Sequence, residues 1–473
     1  MNTLIFFRDN PGIKVDDSPY TISTLEKKYL GKLDEWSKGE HQRGSHKTWL
    51  LHYNVDKIQK FFINSNQITH IPNKGQKYIT FFGITQGALE NELYHFTDNL
   101  DKPLVSKIFQ DLRKGNTHMY VLFPDQMDLL NENSIVLSNI IKFINDHSLS
   151  LSSFTFVSAN YNLSQRQHKD LNHISFSRYA FCANIEKLRI GGSFNKIVES
   201  TSGYVRQHKF LGLVNNCFKP HRLKLLFFFL ENDFFNDGIF TIYPFLHDVY
   251  PNKDDFYNEL EGTYDLLMGY YEFNRKPLFK QEEHPECKQM KNRKKLLKTI
   301  YDLSPLRIDT KLPENYGDDD ITQRQFLNFS FALSSYWNLT TETDWDFFNP
   351  PDGNEPIRAY LSEKTWKPIL GLQPFIMCGS HGYLDILKRF GFKTFSKWID
   401  ESYDNEEDFP TRMTMIENEM LKLKNLSIHD IDKMYWEMYD DVLLHNYNHL
   451  DNHIDEEWNV LRTDIENTWE KVK

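Results

Sequence analysis

Phe210-Leu211-Gly212-Leu213-Val214-Asn215-Asn216-Cys217-Phe218-Lys219-Pro220-His221-Arg222 joins a short apolar run to a helix-start signal through a polar turn. Five residues, Phe210 through Val214, have the composition and length of a buried strand and end at a pair of asparagines. Pro220 suits the first turn of a helix, where its missing N–H would have no intrahelical acceptor anyway. A strand that passes through a short polar turn into a helix is half of a βαβ unit.

The same alternation continues on both sides. Downstream, residues 240–245 read as a strand and 254–269 as a helix. Residues 275–320 look charged and irregular, with a basic run (Lys291, Arg293, Lys294, Lys295, Lys298) and an acidic one (Asp318, Asp319, Asp320), and read as a surface excursion. Strand 335–340, helix 362–370, strand 374–378, helix 383–390 and a short strand at 393–395 follow, and roughly the last sixty residues read as helical. Upstream, strands are expected at 3–7, 78–83, 119–123, 154–158 and 175–181, with helices at 49–64, 103–114 and 134–147. The expected fold class is α/β, with two Rossmann-like domains facing a cleft and helices at the C-terminus. The boundaries fall at 1–205, 206–425 and 426–473, and the last segment is expected to pack back on the first domain. In such sheets ligands sit beyond the carboxyl ends of the strands.

Bulk composition narrows the class. The 473 residues are 40% hydrophobic and 15% aromatic, enough for two cores. The longest apolar run, 225–230, is far too short to span a bilayer. The first nine residues lack the basic lead and long apolar stretch of a secretory leader, so a cytoplasmic protein is expected. Cys182, Cys217, Cys287 and Cys378 are scattered, which suggests reduced thiols and neither a disulfide framework nor a zinc knuckle. A net charge of −11 argues against broad nonspecific nucleic-acid binding. Abundant Phe, Asn, Lys, Ile and Tyr fit an AT-rich genome, such as that of a virus, in which case the site of action is the host cytoplasm. The sequence assigns no oligomeric state.

Polar residues collect where strands give way to helices. At the first handover, backbone N–H groups beginning the Pro220 helix could face an anion, with Arg222 forking onto phosphate oxygens and His221 assisting; a solvated first turn is the alternative. At the second, Tyr360-Leu361-Ser362-Glu363-Lys364-Thr365-Trp366, Ser362 is a good N-cap. Lys364 then falls in the first turn, against the helix dipole, unless it meets an anion. A diphosphate bound by Lys364 and free amides would resolve that conflict, and Glu363 could accept the hydroxyls of a diol. Gly379-Ser380-His381-Gly382 follows strand 374–378, and its glycines suit either close ligand approach or a plain turn. Glu342 ends strand 335–340, where a carboxylate can hold a sugar hydroxyl or merely sit in a loop.

The order Thr341-Glu342-Thr343, Tyr360-Leu361-Ser362-Glu363-Lys364-Thr365-Trp366-Lys367-Pro368, Pro374-Phe375-Ile376-Met377-Cys378-Gly379 resembles the donor-binding core of the α-1,3-fucosyltransferase family. Asn215-Asn216-Cys217 with Arg222 resembles that family's upstream segment. Glycosyltransferase-like proteins of phages and marine microbes share more, including Gly391-Phe392-Lys393-Thr394-Phe395 and Asp400-Glu401-Ser402-Tyr403-Asp404. The resemblance covers roughly residues 209–425. This chain is about two residues shorter than the fucosyltransferase pattern between Lys364 and Pro374, longer between Glu342 and Glu363, and has Thr343 where that family has Asn.

The resemblance implies a two-Rossmann (GT-B-like) glycosyltransferase that moves a sugar from a nucleoside-diphosphate sugar to an acceptor hydroxyl. Donor binding would fall to the C-terminal domain, through Asn216, Arg222, Glu342, Ser362, Glu363, Lys364 and Gly379, and acceptor binding to the N-terminal one. Within that set Arg222 and Lys364 bind the diphosphate, Glu363 holds ribose or sugar hydroxyls and Glu342 sits near the transferred sugar. No metal or cofactor is implied, and no Asp-x-Asp stands at a strand end. An inverting reaction needs a general base, for which Glu90 and Asp125 are placed after strands; a retaining one does not. The acceptor is a glycan or, on a phage-type alternative, a modified nucleobase, toward which His41, Arg43, His46 and Lys47 could contribute charge. A non-catalytic sugar-binding or scaffolding protein is the further alternative. His445, His449 and His453, spaced by four, read as one helix face against solvent or protein rather than a metal site.

Overall fold

The structure, a computed structural model, describes residues 3–8, 77–83, 102–123, 135–158, 172–176, 187, 194–214, 217–242, 253–272, 285–304, 329–342 and 361–472. The chain divides into two compact units: Met1–Cys182 with Pro313–Arg324 and Asn452–Lys473, and Ala183–Leu312 with Gln325–Asp451. Both are α/β.

In the first unit lie β1 (Thr3–Arg8), β2 (Tyr78–Gly83), α1 (Lys102–Arg113), β3 (Thr117–Phe123), α2 (Ile135–Asp146), β4 (Phe154–Ser158) and β5 (Asn172–Ser175). The five strands form one parallel sheet in the order β1-β2-β3-β4-β5. Val105, Ile108, Phe109 and Leu112 recur on one face of α1 at helical spacing and are buried, as are Ile140, Phe143 and Ile144 of α2. Phe109 meets Phe143 edge to face. Each such side chain contributes about 1.5–3 kcal/mol on burial. On the sheet, Tyr120 donates to Asp464 (2.6 Å) and Thr468 (3.1 Å), residues of the C-terminal segment in the same unit.

The described elements of the second unit begin with α3 (Phe194–Ser200), then β6 (His208–Val214), α4 (Pro220–Glu231), β7 (Gly238–Ile242), α5 (Lys253–Glu272), α6 (Cys287–Asn292) and α7 (Leu296–Leu303). It continues with α8 (Phe329–Ser334), β8 (Ser335–Thr341), α9 (Glu363–Leu370), β9 (Phe375–Cys378), α10 (Tyr383–Arg389), α11 (Phe409–Asn425) and α12 (Ile428–Met438). The last helix, α13 (Leu444–Val472), starts in this unit, and its residues from Asn452 belong to the first. The sheet is parallel, in the order β7-β6-β8-β9. All seven residues of β8 and all four of β9 are buried, the pattern of a parallel strand covered on both faces. Gly212 of β6 lies under the Phe240 ring, and a Cβ there would come within 2.5 Å of it.

Three readings change. Residues 287–303 are helical rather than irregular, because Cys287, Met290, Leu297 and Ile300 form a buried stripe that the surrounding lysines obscure in sequence. Within the basic run Lys291 pairs with Glu272, Arg293 with Glu231 and Lys294 with Glu261. No strand forms at 393–395: Asn446 bonds the N–H and carbonyl of Lys393, and Glu401 accepts from Phe395 N, so side chains replace a neighbouring strand. The strand expected at 175–181 runs Asn172–Ser175, and 177–181, like the helix expected at 49–64, lies outside the described residues. Among the described residues no helix is long and apolar enough to cross a membrane.

Candidate functional site

The order β7-β6-β8-β9 reverses direction between β6 and β8. In parallel sheets this switch point opens a crevice beyond the carboxyl ends of the two strands. Here those ends are Val214, leading toward α4, and Thr341 with Glu342.

Pro220 starts α4 after an extended Lys219, and the next two side chains turn inward: His221 is fully buried and Arg222 nearly so. His221 Nε2 lies 2.9 Å from the Glu342 carbonyl. Burial, and then the charge of Arg222, push its imidazole well below the usual histidine value, so it is neutral at pH 7. A carbonyl only accepts, hence Nε2 carries the proton. The Arg222 guanidinium donates through Nη2 to the carbonyls of Glu342 (3.0 Å) and Thr341 (3.3 Å). The segment is therefore not a solvated first turn. It ties the start of α4 to the end of β8, and the guanidinium reaches the strand-end carbonyls.

Glu342 connects the other handovers. Its N–H donates to the Cys378 carbonyl at the end of β9. Its Oε1 accepts from Ser362 N (3.0 Å), Ser362 Oγ (2.8 Å), Thr365 Oγ1 (3.1 Å) and Tyr383 OH (2.8 Å). Burial and the Glu342 charge raise the Tyr383 phenol well above its ordinary value, so it remains a donor. Glu342 is 1% exposed.

Ser362 is the N-cap of α9. Its Oγ accepts from Lys364 N (3.2 Å) and its carbonyl from Thr365 N, so the chain caps these first-turn amides itself. An anion at this turn would meet the Lys364 ammonium, which lies 2.6 Å from Glu363 Oε1 and 3.3 Å from Ser362 Oγ. The Lys364 and Glu363 side chains are 25% and 16% exposed, open enough to meet a ligand. Burial raises the Glu363 carboxyl, but Lys364 and Lys367 outweigh it and hold it down to about 2. Glu363 is ionised at pH 7.

Gly379 ends the line of β9, and a Cβ there would sit 3.3 Å from the Tyr383 ring, so this glycine serves close packing of the residue that reaches Glu342. Gly382 is left-handed (φ 71) and caps α10. The amides of that helix start are taken by Asp404, which accepts from Leu384 N and Asp385 N. Glu401 accepts from Phe395 N and Thr394 Oγ1. The Asp400–Asp404 stretch is thus a bracket for α10 and the turn after it. His445 and His449 bond the carbonyls of Gly391 and Phe390 beyond α10, and His453 lies 3.4 Å from Glu457.

Arg222, Glu342, Ser362, Glu363 and Lys364 are therefore brought together, with Gly379 one contact behind. Thr365, Tyr383 and His221 join them and carried no signal as single residues. Asn216, Glu90 and Asp125, and the cluster His41, Arg43, His46 and Lys47, lie outside the described residues. Comparisons with protein families, with curated proteins and with solved structures find no match for this chain.

Proposed function

We propose that the chain is a glycosyltransferase that binds a nucleoside-diphosphate sugar at the strand–helix handovers of its second unit. The observation that carries this reading is the Lys364 ammonium in the first turn of α9, beside the switch point and next to an ionised, part-exposed Glu363. A lysine at a helix start opposes the dipole, and a bound diphosphate would offset that cost. The resemblance to α-1,3-fucosyltransferases follows the same residues in the same order.

In this reading Lys364 neutralises the diphosphate, and Glu363 accepts from ribose or sugar hydroxyls. The acceptor oxygen attacks the anomeric carbon, and the bond to the β-phosphate oxygen breaks with its electron pair. An inverting reaction passes the acceptor proton to a base such as Glu90 or Asp125; a retaining one gives it to the departing phosphate. The acceptor is a glycan or a modified nucleobase. Among the described residues Cys217, Cys287 and Cys378 are buried thiols outside any disulfide, in keeping with a reducing cytoplasm.

Thermal-shift titration with GDP, UDP, ADP and CMP tests the reading. One nucleotide should raise Tm, because a ligand at a hundred times its Kd adds about 2.7 kcal/mol. No stabilisation by any of them rules the donor site out. Binding without sugar hydrolysis or transfer would identify a non-catalytic sugar-nucleotide binder instead.

A further inference from the structure

We propose that Glu342 is a positioning residue whose buried carboxylate sets the Lys364-bearing turn and does not itself touch the sugar donor. The inference rests on the donor-site reading above and assigns Glu342 a different place in it from that implied by the family resemblance.

A carboxylate that reads sugar hydroxyls must present acceptor capacity to a cavity. Glu342 does the reverse: it is 1% exposed, and one of its oxygens already receives four donors. Those donors come from three points in the chain, Ser362, Thr365 and Tyr383, so their convergence fixes α9 and α10 relative to the end of β8. Glu342 itself cannot drift. Its N–H is held by Cys378, and its carbonyl by His221 and Arg222.

The link to Lys364 is short. Glu342 Oε1 orients the Ser362 hydroxyl, and the same Oγ accepts from Lys364 N and lies 3.3 Å from Lys364 Nζ. Loss of the carboxylate frees the Ser362 rotamer, and with it both the cap and one of the ammonium's contacts. A side chain held by bonded neighbours is preorganised for its ligand, and loosening those neighbours weakens binding without removing any contact to it.

The test uses the full chain as wild type, Glu342→Ala, Glu342→Gln and Ser362→Ala. Affinities for inorganic pyrophosphate and for GDP, UDP, ADP and CDP are measured by calorimetry, and amide exchange over residues 362–365 by mass spectrometry. Glu342→Ala should weaken pyrophosphate and nucleotide binding at least about tenfold and speed exchange of those amides by a similar factor. Glu342→Gln, whose carbonyl oxygen can accept the same donors, should stay within about threefold on both measurements. Ser362→Ala, which keeps the backbone donor but cuts the hydroxyl link, should weaken pyrophosphate binding even if Glu342→Ala does not fold. Folded Glu342→Ala with wild-type affinity overturns the proposal, as does Glu342→Gln impaired as severely as Glu342→Ala. Wild type that binds pyrophosphate but no nucleotide removes the sugar-donor reading and leaves the positioning role to the pyrophosphate results. Wild type that binds neither overturns both.

Discussion

Nζ of Lys364 lies 2.6 Å from Oε1 of Glu363, its immediate neighbour in the first turn of α9. Adjacent residues on a helix do not ordinarily face each other; here the Lys364 ammonium folds back toward the helix start, 3.3 Å from Ser362 Oγ. Any diphosphate at Lys364 competes with Glu363 for the same ammonium and would turn the carboxylate toward the ligand's hydroxyls.

The pair should leave a pH signature. Glu363 is held down to about 2 against an ordinary 4.5, so its contribution to stability is complete above pH 4.5 and lost as pH falls through 2. The difference corresponds to on the order of 3 kcal/mol. Denaturant unfolding of wild type and Glu363→Gln should show a gap that is constant near neutrality and closes between pH 4.5 and 2. A gap that ignores pH would mean Lys364 and Lys367 do not hold this carboxylate.

Lys364→Ala should separate binding from stability. The ammonium is a quarter exposed, so its removal should cost only about 1–2 kcal/mol in chemical denaturation. Nucleotide affinity should fall at least about tenfold by calorimetry. Wild-type affinity in this variant would move the anion site elsewhere.

Arg222→Ala should behave oppositely in stability. Its guanidinium is 3% exposed and bridges two strand-end carbonyls, which would be left buried without it. The expected loss is about 3–5 kcal/mol in chemical denaturation. A loss below about 1 kcal/mol would show that the guanidinium can leave these carbonyls freely.

Local chemistry made the elements legible. Tyr78–Gly83 and Phe154–Ser158 are short runs of β-branched and aromatic residues and form strands over the residues read from sequence, while the helices marked by Pro220 and Ser362 begin at Pro220 and, just after its cap Ser362, at Glu363. The partners were not legible, because they come from far along the chain. Glu342 meets residues 20, 23 and 41 positions away, and no local pattern distinguishes it from a loop glutamate. Asp404 caps α10 from 20 residues downstream, so its carboxylate reads as surface charge until the fold places it. His221 and Arg222 read as helix-start charges that meet either an anion or solvent. Their burial follows from α4 being covered along its length, a property of the whole unit.

The same enclosure of α4 buries a charge pair. Lys224 is fully buried and pairs with Glu417 (2.9 Å), with Glu286 at 3.6 Å. Burial raises the Glu417 carboxyl, and Lys224 opposes that rise. Lys224→Met should destabilise by about 3–5 kcal/mol, because the Glu417 carboxylate stays buried without this cation. Lys224→Met with Glu417→Leu should recover much of that loss, as apolar replacements of buried pairs often do. A double variant no more stable than Lys224→Met would show that the pair does more for α4 than fill space and balance charge.

Gly391 meets two constraints at once, and they can be separated. Its φ is 84, in the region that favours glycine, and a Cβ there would lie 2.7 Å from Nε2 of His449. That ring cannot retreat without cost, since it bonds the Phe390 carbonyl at 2.5 Å and packs on Phe392. Gly391→Ala should therefore destabilise by about 2–3 kcal/mol, part from the backbone and part from the ring. In a His449→Ala background the ring is gone, and the same substitution should cost only about 1 kcal/mol. The double-mutant cycle, measured by denaturant unfolding, isolates the steric share. Equal costs in the two backgrounds would mean that the left-handed backbone, and not His449, is what requires glycine at this turn.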